Sequence, residues 1–96
     1  MTTSDGPGPA WRAQQVRTKQ EMLTVLGERI RALRTAKRWT CERLAHETSL
    51  TIATVSKAER GRGDMLLSTV LLIIDGLDAT PCALLAGITT PPKKRS

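Results

Sequence analysis

The sequence contains few aromatic residues and little histidine or cysteine, and these shortages exclude several kinds of protein. Phe and Tyr are absent and Trp occurs twice, so a core must be built from aliphatic side chains, which suits packed helices better than a sheet. The single His and the two Cys fall in no metal-ligand spacing. We therefore expect an all-α chain with no metal ion and no cofactor, in which Cys41 and Cys82 are reduced thiols.

The chain also lacks a long hydrophobic run. Its longest strongly apolar stretch, 65–74, is much shorter than the ~20 residues that span a bilayer, and no basic cluster adjoins it. The first residues, MTTSDGPGPAWR, lack the basic-then-apolar order of a secretory signal. These two absences predict a cytoplasmic protein with no membrane partner.

Positive charge, in contrast, is abundant and unevenly placed. Fifteen Lys and Arg against nine Asp and Glu give a formal net charge of +6, which favours a polyanionic partner. Nine of the basic residues lie between Arg29 and Arg62, whereas 64–92 contain none. This asymmetry is expected of a protein that holds nucleic-acid phosphates with one end and pairs through the other.

The 96 residues have room for one domain, and both ends of the chain differ from its middle in composition. Gly and Pro dominate 1–10, and 89–96 read TTPPKKRS. We expect flexible arms at both ends: an N-terminal arm over 1–21, partly helical from Trp11 to Gln20, and a basic tail over 89–96, around a domain over 22–88. No alternating apolar and polar run is long enough to predict a strand.

Hydrophobic spacing predicts five short helices in this domain. Leu26, Ile30 and Leu33 share one face of a first helix that runs from about Leu23 to Lys37 or Arg38. The later helices are expected over Cys41 to about Glu47, Ile52 to about Arg60, Leu67 to Leu77, and Pro81 to about Ala86. In the fourth helix core spacing is kept by Leu67, Val70, Ile73, Ile74 and Leu77.

Threonine and glycine set the predicted helix limits. Thr40, Thr51 and Thr80 each precede a helix and are predicted N-caps. Gly61 and Gly87 follow helices and are predicted to end them.

The second and third helices form the pattern that points to function. The small Ala45 lets the third helix pack closely against the second, while Leu50 and Val55 fill the corner between them. This arrangement is typical of the helix-turn-helix, in which the N-terminal end of the later helix enters the major groove of DNA.

Residues 26–85 resemble the phage repressor and Cro type of DNA-binding domain, the XRE family. The matching landmarks are LGERIRALR in the first helix, TCERLAHETSLTIATVSKAERG across the helix-turn-helix and LSTVLLIIDGLDATPCALL in the last two helices. The resemblance implies a five-helix lambda-repressor-like domain. The chain departs from the family at Cys41, where a phosphate-binding Gln is frequent, and at Ser49, where the turn favours Gly.

The resemblance places the base-reading positions on Ile52, Ala53 and Lys57. Ile52 and Ala53 can press against thymine methyl groups, and Lys57 can reach guanine O6 and N7 or a phosphate, so a T-rich site with few guanines is expected. Contacts to the DNA backbone are expected from Arg43, Thr51, Thr54, Ser56, Arg60, Arg62, Arg29, Arg34 and Arg38.

Leucines of the fourth helix complete the predicted site. Leu66 and Leu72 stand where the family usually has polar residues, and with Leu71 they form the predicted homodimer interface.

The sequence thus predicts a dimeric, sequence-specific repressor of transcription that binds double-stranded DNA. It offers no glycine-rich phosphate loop, paired carboxylates or activated nucleophile, so no enzyme is expected. The alternative is a protein-interaction adaptor such as an antitoxin, which Cys41 and the apolar Ile52 and Ala53 support.

Overall fold

In the computed structural model, which describes residues 14–15 and 19–89, the chain is built from short helices. The described residues form five helices, α1 (Lys19–Ala36), α2 (Cys41–Thr48), α3 (Ile52–Glu59), α4 (Leu67–Gly76) and α5 (Pro81–Leu85). The expected all-α class and the five-helix architecture are confirmed. Most of the predicted N-terminal arm and basic tail lies outside the described residues, and so their assignment as arms stays a prediction.

Helix α1 begins four residues earlier than hydrophobic spacing predicts, at Lys19 instead of Leu23. Its first turn is polar and is held by contacts with the α3–α4 connection. The Gln20 amide donates to the Gly61 carbonyl (3.0 Å), and Lys19 pairs with Asp64 (3.2 Å). Because these partners lie more than 40 positions away along the chain, local periodicity cannot detect this extension of the helix.

The predicted N-caps are confirmed at all three threonines. Each has an extended backbone, and its hydroxyl accepts a hydrogen bond of 3.0 Å from the backbone N–H three residues later. Such a cap satisfies one of the backbone donors that a helix start leaves without a partner, and it stabilises a helix by about 1 kcal/mol. Helices of eight and five residues depend on such caps because they have few internal hydrogen bonds.

A two-residue parallel strand pair, which the sequence does not predict, joins the two ends of the domain. β1 (Gln14–Gln15) lies beside β2 (Ile88–Thr89), with Gln14 opposite Ile88. Gln14 and Gln15 were expected in a helical extension, and the structure corrects this. Two residues are too few to produce an alternating pattern, so pairing with a distant segment decides their conformation.

Four helix ends share one closing arrangement, in which an N–H donates to the carbonyl five residues earlier. These bonds run from Trp39 to Arg34, Leu50 to Ala45, Arg62 to Lys57, and Ala79 to Ile74, at 3.0–3.2 Å. The residue before each donor is left-handed, as a Schellman closure requires. These left-handed residues are Arg38, Ser49, Gly61 and Asp78.

One aliphatic core lies between the helices. Its buried members, as the composition predicts, are aliphatic: Leu26, Ile30, Leu44, Ala45, Val55, Ala58, Val70, Ile73, Ile74, Leu77 and Leu84. Leu33 and Leu50, two further predicted core residues, pack against this cluster while partly exposed. Leu67 differs from its predicted core position, since it is 70% exposed.

Two glycines allow the helices to approach closely. A Cβ on Gly27 of α1 would lie 2.5 Å from the Glu59 carbonyl oxygen at the end of α3. A Cβ on Gly76 of α4 would overlap the methyl group of Thr48, which is buried at the end of α2. The α2–α3 pair is therefore held between α1 and α4, and one face of α3 is left exposed.

Candidate nucleic-acid interface

The first turn of α3 lies at the surface, where a recognition helix needs it. The Thr51 hydroxyl caps this turn and donates to the Thr54 hydroxyl (2.9 Å). Ile52 and Ala53 are exposed, whereas Val55 on the opposite face is completely buried. The helix is thus anchored by one face and presents apolar side chains at its free end.

Lys57 extends this surface by one helical turn, because it stands four residues after Ala53 on the same face. Its side chain lies over Gly63: a Cβ at that position would be 3.3 Å from Cε and 3.6 Å from Nζ of Lys57. Gly63 has a left-handed backbone at φ 67°, which favours glycine. The lack of a side chain at Gly63 therefore leaves room for the end of the Lys57 side chain.

Lys57 also lines a shallow groove of about 240 Å³ between α3 and the start of α4. Arg62 and Asp64 line the same groove from the α3–α4 connection. Asp64 pairs with Lys19, and so its negative charge is partly offset on the outer side of the groove.

The predicted backbone contacts divide into exposed and internal residues. Arg38, Arg43, Arg60, Arg62 and Thr51 are exposed, and Thr54 and Ser56 are half-buried on α3. The structure brings most of them together around the connections at the two ends of α2 and the two ends of α3. Their roles as phosphate contacts stay predictions.

Arg29 is a correction to this set, since it is 1% exposed. Its guanidinium donates to the carbonyl oxygens of Leu84 (3.2 Å) and Ala86, at the end of α5. Burial lowers the pKa of Arg29, because removal from water penalises the charged form. Arg29 thus fastens α5 to α1 and is not exposed to a phosphate.

Arg34 is the second correction, because its guanidinium forms an ion pair with a carboxylate of the same protein and is only slightly exposed. Its guanidinium contacts both carboxylate oxygens of Glu59 at 2.5 and 3.0 Å and donates to the Trp39 carbonyl (2.7 Å). The hydrogen bond that Arg34 donates to Glu59 raises the pKa of Arg34, outweighing the effect of burial. This bidentate pair joins α1 to the end of α3.

Trp39 is a residue that sequence reasoning missed, and it lies next to a predicted contact. The Arg43 guanidinium carbon lies 4.7 Å from the ring centroid and Lys37 Nζ lies 5.1 Å from it. Arg43 also donates to Glu47 (2.8 Å). A tryptophan flanked by basic residues at short spacing is a sequence signal for this cluster.

A set of exposed leucines lies in the part of the chain without Lys or Arg, and its first member, Leu66, lines the same groove as Lys57 and Arg62. Its exposed fractions are 72% for Leu66, 70% for Leu67, 50% for Leu71, 43% for Leu72 and 42% for Leu85. Leu67 is exposed because it shares a face with Leu71, beside the face of α4 that packs on the core. The structure thus adds Leu67 and Leu85 to the three leucines predicted from sequence.

The structure also locates the cysteine and the histidine of α2 that the sequence analysis considered as metal ligands. Cys41 is half-buried with its Sγ 3.8 Å from Glu59 Oε1, and His46 is exposed on α2. No group of three or more His, Cys, Asp or Glu in the described ranges could hold a metal ion. Among the helices described, none combines the length and apolar character that a membrane crossing requires.

The fold and the exposed end of α3 define an all-helical protein of the helix-turn-helix class. The model of the helix-turn-helix domain family matches residues 25–86, and the chain belongs to this family. The resemblance to XRE-type DNA-binding proteins is confirmed by this match and by the structural comparisons. A search of curated proteins found no match.

Solved structures with this fold include two restriction-modification controller proteins. C.AhdI from Aeromonas hydrophila is 37% identical, with a TM-score of 0.63, over 65% of this chain and 94% of its own. C.Esp1396I, as a tetramer in complex with its natural 35 base-pair operator, is 25% identical over 67% of this chain and 84% of its own, with a TM-score of 0.63.

A third solved structure is similar in fold alone. An HTH_3 family transcriptional regulator from Vibrio cholerae is 23% identical with a TM-score of 0.68. The match covers 72% of this chain but 39% of the regulator, so that protein has further parts without a counterpart here.

Proposed function

We propose that this protein is a sequence-specific transcriptional repressor that binds double-stranded DNA as a homodimer. The exposed N-terminal turn of α3, with Ile52 and Ala53 beside Lys57, is the observation that carries the proposal. The operator complex of the similar C.Esp1396I supports it by analogy. The two copies of α3 would lie about one helical turn of DNA apart, roughly 34 Å, on a palindromic site.

Base reading in this proposal combines apolar contact with one cation. Ile52 is 47% exposed and can pack against the methyl group of thymine, as can the smaller Ala53. Lys57, one turn further along, reaches guanine O6 and N7. The selected site should therefore be rich in thymine with few guanines.

Phosphate binding in this proposal uses the exposed cations around α2 and α3. Arg43 lies in the first turn of α2, Arg60 and Arg62 follow the C-terminal end of α3, and Arg38 lies at the α1–α2 connection. The hydroxyls of Thr51, at the N-cap of α3, and of Thr54 and Ser56, within α3, would reach the edge of the groove. Such contacts orient the protein on the duplex and carry no sequence information.

Dimerisation would bury the exposed leucines of α4 and α5. Leu71 and Leu72 are surrounded by an acidic or neutral part of the chain, since residues 64–92 contain no Lys or Arg. Exposed leucines of this kind are typical of an interface between subunits. Because Leu66 lines the groove that Lys57 and Arg62 also line, the proposed interface adjoins the proposed DNA-binding surface. The proposed seam comprises Leu66, Leu71 and Leu72, and the exposure of Leu67 and Leu85 supports their inclusion in it.

Selection of binding sites from random duplex DNA tests the base-reading part. The affinity for the selected duplex should exceed that for a scrambled duplex by at least ~1000-fold. Lys57→Ala should relax the preference at one position of each half-site. In a transcription assay, a promoter that carries the selected site should be silenced by the protein.

The adaptor alternative is favoured by one observation, the exposed Ile52 at the tip of α3. An apolar tip can form part of a protein interface instead of contacting bases. If no sequence is enriched, and selected and scrambled duplexes bind alike with the same salt dependence, the base-reading roles are refuted and the adaptor function takes their place.

The dimer seam has its own test, in which molar mass is measured by light scattering at tens of micromolar. Leu72→Glu should convert a dimer to a monomer, because a carboxylate would be buried in the seam. Ala32→Glu adds the same charge to an exposed position of α1 and should leave the dimer intact. A wild-type protein that is monomeric at this concentration would contradict the dimer.

A further inference from the structure

The backbone of Trp39 is held in the α1–α2 connection by two hydrogen bonds with Arg34. Its N–H donates to the Arg34 carbonyl (3.2 Å), and its own carbonyl accepts from the Arg34 guanidinium (2.7 Å). One part of the indole packs against the aliphatic core, and the rest is exposed. The ring therefore forms a partly exposed platform at the surface.

Two exposed cations lie against this platform. Lys37 Nζ is 5.1 Å and the Arg43 guanidinium carbon is 4.7 Å from the ring centroid. Both distances are within the range in which the electron-rich face of an indole attracts a cation. Two long side chains thus contact one ring, one from the residue that follows α1 and one from the first turn of α2.

The negative charge around this cluster is smaller than the positive charge. Glu47 contacts Arg43 at 2.8 Å, and Glu42 is exposed on the first turn of α2 without a contact to either cation. Lys37 has no carboxylate partner among the described residues, and Arg38 adds a further exposed cation between the two helices. Two cations held near one ring repel each other, and a bound anion would offset this repulsion.

We propose that Lys37 and Arg43, held on Trp39, form a binding site for a phosphate of the DNA backbone, with Trp39 as the positioning residue. This inference rests on the proposed function. The first helix of a helix-turn-helix crosses the DNA backbone, and Arg43 lies in the first turn of that helix, α2. The site adds affinity and fixes orientation, and it does not read sequence.

The test measures affinity for the selected and the scrambled duplex across a salt series. Lys37→Gln and Arg43→Gln should each weaken binding by the same factor on both duplexes and reduce the salt slope by about 0.9 per protomer. Arg31→Gln is the matched control, because Arg31 is an exposed cation of α1 with no contact to Trp39. This control should keep the wild-type slope.

The Trp39→Leu variant tests the positioning role of the ring without removing either positive charge. The variant retains both cations and an apolar side chain, so its salt slope should stay near that of the wild type while affinity falls about 2–5-fold. Glu47→Gln should instead strengthen binding to both duplexes, since it removes the carboxylate that competes for Arg43. Thermal melting monitors folding, and the Lys37 and Arg43 variants do not alter the core.

The possible outcomes distinguish failure of the phosphate site from failure of the proposed repressor function. If Lys37→Gln and Arg43→Gln behave like Arg31→Gln while the wild type prefers its selected site, the phosphate site is refuted and the repressor proposal stands. If the wild type binds neither duplex, both proposals are refuted. A loss confined to the selected duplex would also overturn the inference, because a phosphate contact cannot discriminate sequence.

Discussion

Ser49→Gly should make the protein more stable, because Ser49 holds a left-handed backbone in the turn between α2 and α3. Its φ is 60° and its ψ is 29°, a conformation in which a Cβ crowds the following carbonyl. The serine side chain is exposed, so its replacement removes no buried surface. The turn itself is kept by the hydrogen bond from Leu50 to Ala45 (3.0 Å), which glycine does not affect.

The magnitude follows from two opposing effects. Relief of the left-handed conformation is worth about 1–2 kcal/mol, and the greater freedom of glycine in the unfolded chain costs about 0.5–1 kcal/mol. The net gain in the free energy of unfolding is about 0.5–1 kcal/mol, which for a domain of this size raises Tm by about 2–8 °C.

Thermal and urea unfolding, followed by circular dichroism, measure the change against two further variants. Ser49→Ala keeps the Cβ and should match the wild type within about 0.5 kcal/mol. Ser49→Asn should fall between alanine and glycine, because asparagine tolerates the left-handed region. A glycine variant no more stable than the alanine variant would refute the reasoning, since the strain would then not reside in the Cβ.

Two further predictions concern the contacts that hold α3 and α4 in place. Glu59→Gln should lower the free energy of unfolding by about 1–3 kcal/mol in urea titration, because it leaves the partly buried Arg34 charge without its carboxylate; a loss below 1 kcal/mol would refute a stabilising role for this pair. Gly76→Ala should cost about 1–3 kcal/mol by overpacking against the Thr48 methyl group. Adding Thr48→Ser, which removes that methyl group and keeps the hydroxyl, should recover part of the loss, and strictly additive effects would contradict the contact.

Local signals in the sequence were sufficient for most of the helical framework. The caps at Thr40, Thr51 and Thr80 depend on residues three positions away, and hydrophobic spacing depends on the next one or two turns. The start of α1 and the β1–β2 pair depend instead on partners more than 40 positions away in the chain. Tertiary contacts decide such features, and a local pattern does not contain them.

At the candidate site, the positions of the basic residues in the sequence likewise do not show which of them are exposed. Of the nine basic residues from Arg29 to Arg62, Arg29 and Arg34 are internal, and the other seven are exposed. Both internal arginines lie on α1 among exposed cations, so composition alone cannot distinguish them. Their partners are the carbonyls at the end of α5 and the Glu59 carboxylate, and both are separated from them by at least 25 positions.

The closures of four helices explain where glycine is needed and where it is not. Gly61 is buried, and a Cβ there would lie 2.9 Å from the Thr24 Cα of α1, a clash with backbone that cannot move away. At Arg38, Ser49 and Asp78 the left-handed residue is exposed, and the cost is limited to local strain of about 1 kcal/mol. At Arg38 glycine would also remove a cation from the surface proposed to bind DNA. The strain tolerated there is therefore consistent with a requirement for charge at that connection.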